Sequence, residues 1–351
     1  MPMAIERRQF LGLVLLQPTR LLASTPAHPS GRLWAAWSDA QGRHFAGQLQ
    51  ADAQGLSVLW SLPLPTRAHG MVQEPTGSVL IVARRPGEWL LRLGPGSPRD
   101  RQWQWSDADR RFNGHALVGS DTRWRYLVEA DLDSGQTLLV RREATSLEVD
   151  AEWPCGGVDG HQALADGPEH LLLALGGVPS QAETGRARRG MARMDSSLLR
   201  LDLRTGRPAG RWRLADTRLS LRHLARHPHG TVGVALQAEH DDDAQRQGAP
   251  LLACFDGQTL RVAEQPRSLA GYAGDIAADA AGFVLSAPRA GGLARWSHQG
   301  QWRGWQPLED ACALSAGWAA GRVGAQTATG ELVPWRSPGH RLDNHWLSAG
   351  F

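Results

Sequence analysis

The chain has 351 residues, and its 40 Gly and 21 Pro stand against only 6 Phe and 2 Tyr, with 15 Trp supplying most of the aromatic content; that balance favours many turns and short strands over long helices. Its 38 basic and 35 acidic residues are interspersed and leave a net charge of +3, so nothing points to nucleic acid as a partner, and the nearest approach to a basic tract, RARRGMAR at 186–193, reads as a solvated loop. The three cysteines, Cys155, Cys254 and Cys312, are far apart and form no CxxC pair, which excludes a zinc-ribbon spacing and a disulfide-rich framework.

In chain order, the first feature is Arg7-Arg8-Gln9-Phe10-Leu11 before the apolar stretch Leu11 to Leu16, with small residues near Ala23 to Ala27. This resembles a twin-arginine export signal, an address read by a receptor. It divides the chain into a signal peptide over 1–29 and a mature domain over 30–351, placed in the periplasm. No later stretch reaches the roughly 18 apolar residues that a membrane helix needs, so no membrane span is expected.

The mature region repeats. His69, His115 and His161 are spaced 46 and again 46 residues apart, and each opens a similar strand–turn–strand stretch. A fourth copy begins at His223, after a longer spacing that contains a polar insertion around 180–195. A fifth begins at Asp275 (DIAADAAGFVLSAPRAGG), a sixth near Ala313, and the terminal NHWLSAGF reads as one more inner strand carrying His345. A period of 40 to 50 residues carrying four short strands is that of a propeller blade. Without 29 signal residues, 322 remain, room for seven repeats of 46. The expected fold is therefore all-β: a seven-bladed propeller in which Arg32 to Leu64 supplies three strands of one blade and the C-terminal strand completes it, leaving no long exposed sheet edge.

In such a ring the inner strand of each blade lines the central channel, and its first residue is expected at one mouth. The seven equivalent positions are His69, His115, His161, His223, Asp275, Ala313 and His345, so five imidazoles and a carboxylate are expected to converge as a metal site. Imidazole suits iron, copper and zinc, whereas calcium or magnesium would ask for an oxygen cage. The competing reading is structural: Gly114-His115 and Gly160-His161 look like the Gly-His pair of WD-repeat propellers, where the histidine sits between blades, although the Trp-Asp pair of that pattern is not found. A second set, Arg84, Arg85, Arg222 and Arg289, is a candidate clamp for a carboxylate or phosphate ligand, or a counter-charge for Asp275 and Glu129; its competing reading is salt bridging between blades. There is no G-x-S-x-G elbow, no Walker loop and no dinucleotide fingerprint, so a binding function is favoured over an enzymatic one.

The stretches RAHG with ARRPG, FNGHA, GHQALADGPEHLLLALGGV, MDSSL, LSLRHLA, GYAGDIA, SAPRAGG and DNHW resemble the family known as domain of unknown function 1513. The resemblance implies an exported propeller, encoded beside imelysin-like proteins and a di-haem cytochrome-type oxidoreductase in clusters linked to iron uptake. It thus implies metal handling in iron or copper acquisition, with those proteins as partners. Two departures stand out: Asp159-Gly160-His161-Gln162 replaces an expected Gly-Pro-His-Glu, and Leu175-Gly176-Gly177 replaces Asn-Gly-Gly. Two other functions stay open at this point. One is an interaction scaffold with purely structural histidines; the other is a propeller enzyme of the lactonase or quinoprotein type, against which only one of the seven positions holds a carboxylate.

Overall fold

A computed structural model describes residues 31–52, 54–179, 190–315, 318–321, 324–327, 332–336 and 339–348. The expected signal segment over 1–29 and most of the insertion around 180–195 lie outside the described residues.

The described strands form seven four-stranded antiparallel sheets arranged as an all-β propeller. The sheet that begins with Ala68–Gln73 continues outward through Val79–Ala83, Trp89–Leu93 and Arg101–Trp105. Burial follows the position in the blade. Val79–Ala83 reads VLIVA and is buried throughout, because a second strand is covered by the neighbouring blade on each face, whereas the outermost strand RQWQW is partly or fully exposed. The same gradient recurs from His170–Leu175 (HLLLAL) to Pro208–Trp212 (PAGRW).

Hairpin turns are closed by aspartates. Asp131, Asp202 and Asp256 each accept backbone N–H bonds from residues two or three positions ahead, at 2.7–2.9 Å. These are Asx turns, in which a short carboxylate replaces a main-chain acceptor. The bonds to Thr259 and Gln258 pull the exposed Asp256 carboxyl down to about 2.

The innermost strands are Ala68–Gln73, Arg110–Val118, Gly160–Ala165, Leu219–Arg226, Asp275–Asp279, Leu314–Ser315 and Arg341–Ser348. Each touches the next in that order, and the last returns to the first, so they close into a ring. The closing sheet has the order Arg341–Ser348, Gly31–Ser38, His44–Asp52, Gly55–Leu64. Leu33 opposes Ser348, Trp34 opposes Leu347 and Ala35 opposes Trp346. Trp346 packs fully buried against Leu33, Ala35, Trp37 and Leu49. The two ends of the described chain are thus locked in one sheet by hydrogen bonds and a shared core.

Candidate metal centre at the propeller axis

The histidine-bearing inner strands share a local defect. The pairing of each with its neighbour slips where the histidine sits: between Ala68 and Met71, Phe112 and Ala116, Gly160 and Ala163, and Leu221 and Leu224. In the closing strand the slip covers Asp343 to His345. A bulge releases residues from the ladder and re-aims their side chains, and here it turns imidazoles toward one another across the ring. The Asp275 strand has no slip; Asp275 pairs with Ser286 in regular register.

The expectation that these residues open their strands is corrected by these registers. Asp275 is the first residue of its strand, but His115 is the sixth of Arg110–Val118, and His223 and His345 are each the fifth of theirs. The strands begin earlier because residues before the bulge, such as Arg110 to Phe112, already pair with the next strand.

The five imidazoles pack as a cluster, with ring centroids 4.5–6.0 Å apart in nine pairings. His69, His115, His161 and His223 are all at most 6% exposed. The residues therefore plug the ring rather than fringe an open mouth. Close approach is possible because of Gly114, whose φ is +95° and where a Cβ would stand 2.5 Å from the His69 ring.

Among the described residues, none of the five rings bonds to the main chain. Two polar contacts are made: Nε2 of His161 lies 2.9 Å from Nε2 of His223, and Nδ1 of His345 lies 3.2 Å from Oδ2 of Asp275. Nδ1 of His69, His161 and His223 and Nε2 of His115 and His345 are buried with no hydrogen-bond partner in the protein. An unsatisfied buried polar atom costs about 1–3 kcal/mol. In the His161–His223 pair the ring that accepts at Nε2 carries its proton on Nδ1, so at most four of these five atoms can offer a lone pair to a bound cation.

Electrostatics keep four of these rings uncharged. Burial, foremost, holds His69, His115, His161 and His223 well below the usual histidine range, and the neighbouring imidazoles with Arg84, Arg85 and Arg222 push in the same direction. Neutral imidazole is the form that carries a lone pair for a metal. One ligand atom from each of His69, His115, His161 and His223 lies within 4.8 Å of the others, and the same holds for His223, Asp275 and His345. A tetrahedral ion with bonds of about 2.0–2.1 Å needs nitrogens about 3.3 Å apart, so the residues present fit a transition ion after a modest contraction.

Around the imidazoles lies a buried ionic layer. Asp159, in left-handed conformation with φ of 58°, forms ion pairs with Arg222 at 2.8 Å and with Arg85, while Arg222 also approaches Glu239 at 3.8 Å. Gly176 is required here, because a Cβ would meet Asp159 Oδ2 at 2.5 Å, Ser220 Oγ at 2.8 Å and Arg222 Nη1 at 2.9 Å. At the first departure, Gln162 bridges blades by accepting the Leu224 N–H at 2.7 Å. At the second, Leu175 is wholly buried in the core.

Of the candidate arginines, Arg85 and Arg222 share Asp159, and Arg84 is close enough to depress His69. Arg289 is set apart: it is exposed, with its guanidinium 4.2 Å over the Tyr272 ring. Glu129 pairs with Arg142 at 2.8 Å. All three cysteines are free thiols, and burial pushes Cys155 and Cys312 up to about 12.

In the sequence Asp159 stood out only as part of a departure from the family pattern and not as a site residue, although DGHQ places it two residues before a ring histidine. A second histidine group escaped the sequence reading. His227, His229 and His298 stack with centroids 4.7–5.1 Å apart, where the turns HPHG and SHQG meet. The signal was the doubled histidine of HPHG, but its partner lies far along the chain.

The family described as "Protein of unknown function (DUF1513)" matches residues 62–349, and the chain belongs to it. No curated protein matches. Among solved structures, a functionally unknown protein from Desulfotomaculum acetoxidans is similar with a TM-score of 0.57, at 8% identity, over 90% of this chain and 100% of that one. A chain from a nidogen/laminin complex is similar with a TM-score of 0.50, also at 8% identity, over 92% of this chain and 98% of that one. At these identities the likeness concerns the fold alone. No helix among the described residues is long and apolar enough to cross a membrane.

Proposed function

We propose that this protein is a binding propeller that holds one transition-metal ion in the imidazole cluster at its axis. The observation that carries this reading is the convergence of His69, His115, His161 and His223, with one ligand atom of each within 4.8 Å of the others, in buried rings that together with His345 leave nitrogens without a partner in the protein. Structural histidines of the WD-repeat kind would bond to neighbouring strands, and these face one another instead. Nitrogen-rich ligation selects iron, copper or zinc over calcium and magnesium. Arg85 and Arg222 are engaged with Asp159, so this reading rests on the imidazoles and not on an arginine clamp for an anion.

The cellular role follows the family resemblance: an exported periplasmic protein assisting iron or copper acquisition beside imelysin-like and di-haem cytochrome-type partners. The twin-arginine-like start supports it, since cargo of that route is exported folded, often with a metal in place.

The test is elemental analysis of protein purified from the periplasm, beside the His115→Ala/His161→Ala double variant. About one iron, copper or zinc per chain is expected in the wild type, with most of it lost in the variant. Wild-type protein free of transition metal, or a variant holding as much, would favour a scaffold in which the cluster only packs the blades.

A further inference from the structure

We infer that Asp275 is a positioning residue: it fixes the tautomer of His345 so that Nε2 of that ring presents a lone pair to the cluster. The inference rests on the metal reading above and refines it, because Asp275 and His345 were both expected as direct ligands.

The argument starts from what Asp275 already does. Its Oδ1 accepts the Ile276 N–H at 2.8 Å, and its Oδ2 accepts the Leu314 N–H at 2.9 Å while lying 3.2 Å from Nδ1 of His345. The side chain thus ties its own inner strand to Leu314–Ser315 and to the closing strand. That is the sector where the sixth ring position is Ala313 and supplies no ligand. Oδ2 already acts as an acceptor, for the Leu314 N–H, and a bond from the same oxygen's lone pairs to His345 requires a proton on Nδ1. A neutral imidazole protonated at Nδ1 carries its lone pair on Nε2. That atom is buried and has no partner in the protein.

A ligating histidine whose other nitrogen donates to a carboxylate is the usual device for holding ring orientation and raising donor strength, and loss of the carboxylate typically weakens the metal about 10–100-fold. With both oxygens already serving backbone donors, Asp275 is better placed for this task than for leaving them to bind the ion.

Asparagine at 275 keeps the shape and the acceptor for Ile276 when its amide nitrogen takes the place of Oδ2; it then turns N–H groups toward His345, at the loss of the Leu314 bond, and drives the ring to the Nε2-protonated tautomer. The experiment has two arms. In the first, nitrogen-15 NMR of chelator-treated protein reads the His345 tautomer: wild type should be protonated at Nδ1, and Asp275→Asn at Nε2. In the second, zinc affinity is measured for wild type, Asp275→Asn, His345→Ala and the double variant. Each single variant should lose about 10–100-fold, and the double should be no weaker than His345→Ala alone, because Asp275 acts through that ring. A wild-type ring protonated at Nε2, or a double variant whose loss is the product of the single losses, overturns the assignment. If wild type binds no zinc, the metal reading falls by itself, and the tautomer still decides what Asp275 does. If Asp275→Asn does not fold, the wild-type spectrum alone gives that decision.

Discussion

Nε2 of His161 and Nε2 of His223 lie 2.9 Å apart although 62 positions separate the residues in sequence. At that distance one nitrogen carries the hydrogen and the other the lone pair, so the two tautomers are coupled. Their ring centroids are 4.5 Å apart, and both rings are buried. Charging either one places a cation beside three further imidazoles and Arg222.

The pH dependence of stability follows. For His69, His115, His161 and His223 the folded-state value is depressed below the ordinary 6.5. Below pH 6.5 the unfolded chain therefore binds protons that the folded one does not, and stability falls as pH drops. Each such ring adds a slope of up to about 1.4 kcal/mol per pH unit in that range. Thermal melts of chelator-treated protein should show a level Tm above pH 7.5 and a steep decline from pH 6.5 to 5. A flat profile across that interval would mean that the rings are charged or accessible in the folded state.

Asp159 stands between two buried or half-buried guanidinium groups, Arg222 and Arg85. Removing a partner from a buried pair costs about 3–5 kcal/mol, because the remaining charge is left uncompensated. Asp159→Asn keeps the left-handed backbone accessible and removes only the charge. It is expected to lower stability by that amount in denaturant melts, while Asp195→Asn, at an exposed pair with Arg213, should cost under about 1 kcal/mol. Equal effects at the two sites would contradict the burial argument.

Closure of the ring rests on Arg341–Ser348. Deleting residues 343–351 removes Trp346 from the core of the closing sheet and Asp343 from its bond to Arg67 at 2.6 Å. Trp346→Ala alone should cost about 3–5 kcal/mol, and the deletion more. A truncated protein with an unchanged Tm would show that the last strand is dispensable.

Export is tested at the other end. Replacing Arg7 and Arg8 together by lysine removes the paired guanidinium groups on which twin-arginine recognition depends, and precursor should then accumulate in the cytoplasm. A normal periplasmic yield of that variant would remove the argument for folded export.

What the sequence determined by itself was the repeat and its equivalences. A blade is one supersecondary unit, so a spacing of 46 between His69, His115 and His161 places the same residue at the same point of successive inner strands. The pairing of the C-terminal strand with the N-terminal sheet was legible on the same ground. The bulges were not, because a slip in register depends on the neighbouring strand's hydrogen bonds and leaves no mark on the period; hence the rings sit inside their strands and fill the axis instead of edging a mouth. Tertiary structure alone also decided the charges, since Arg85, Asp159 and Arg222 come from three different blades and nothing local in any of them names the others. The same holds for Arg289, which the repeat places like a channel residue but which lies over Tyr272, and for His227 and His298, which meet only because adjacent blades bring two turns together. Periodicity reports which positions are equivalent within a blade, whereas the direction of a side chain and the partner of a buried charge are set by contacts between blades.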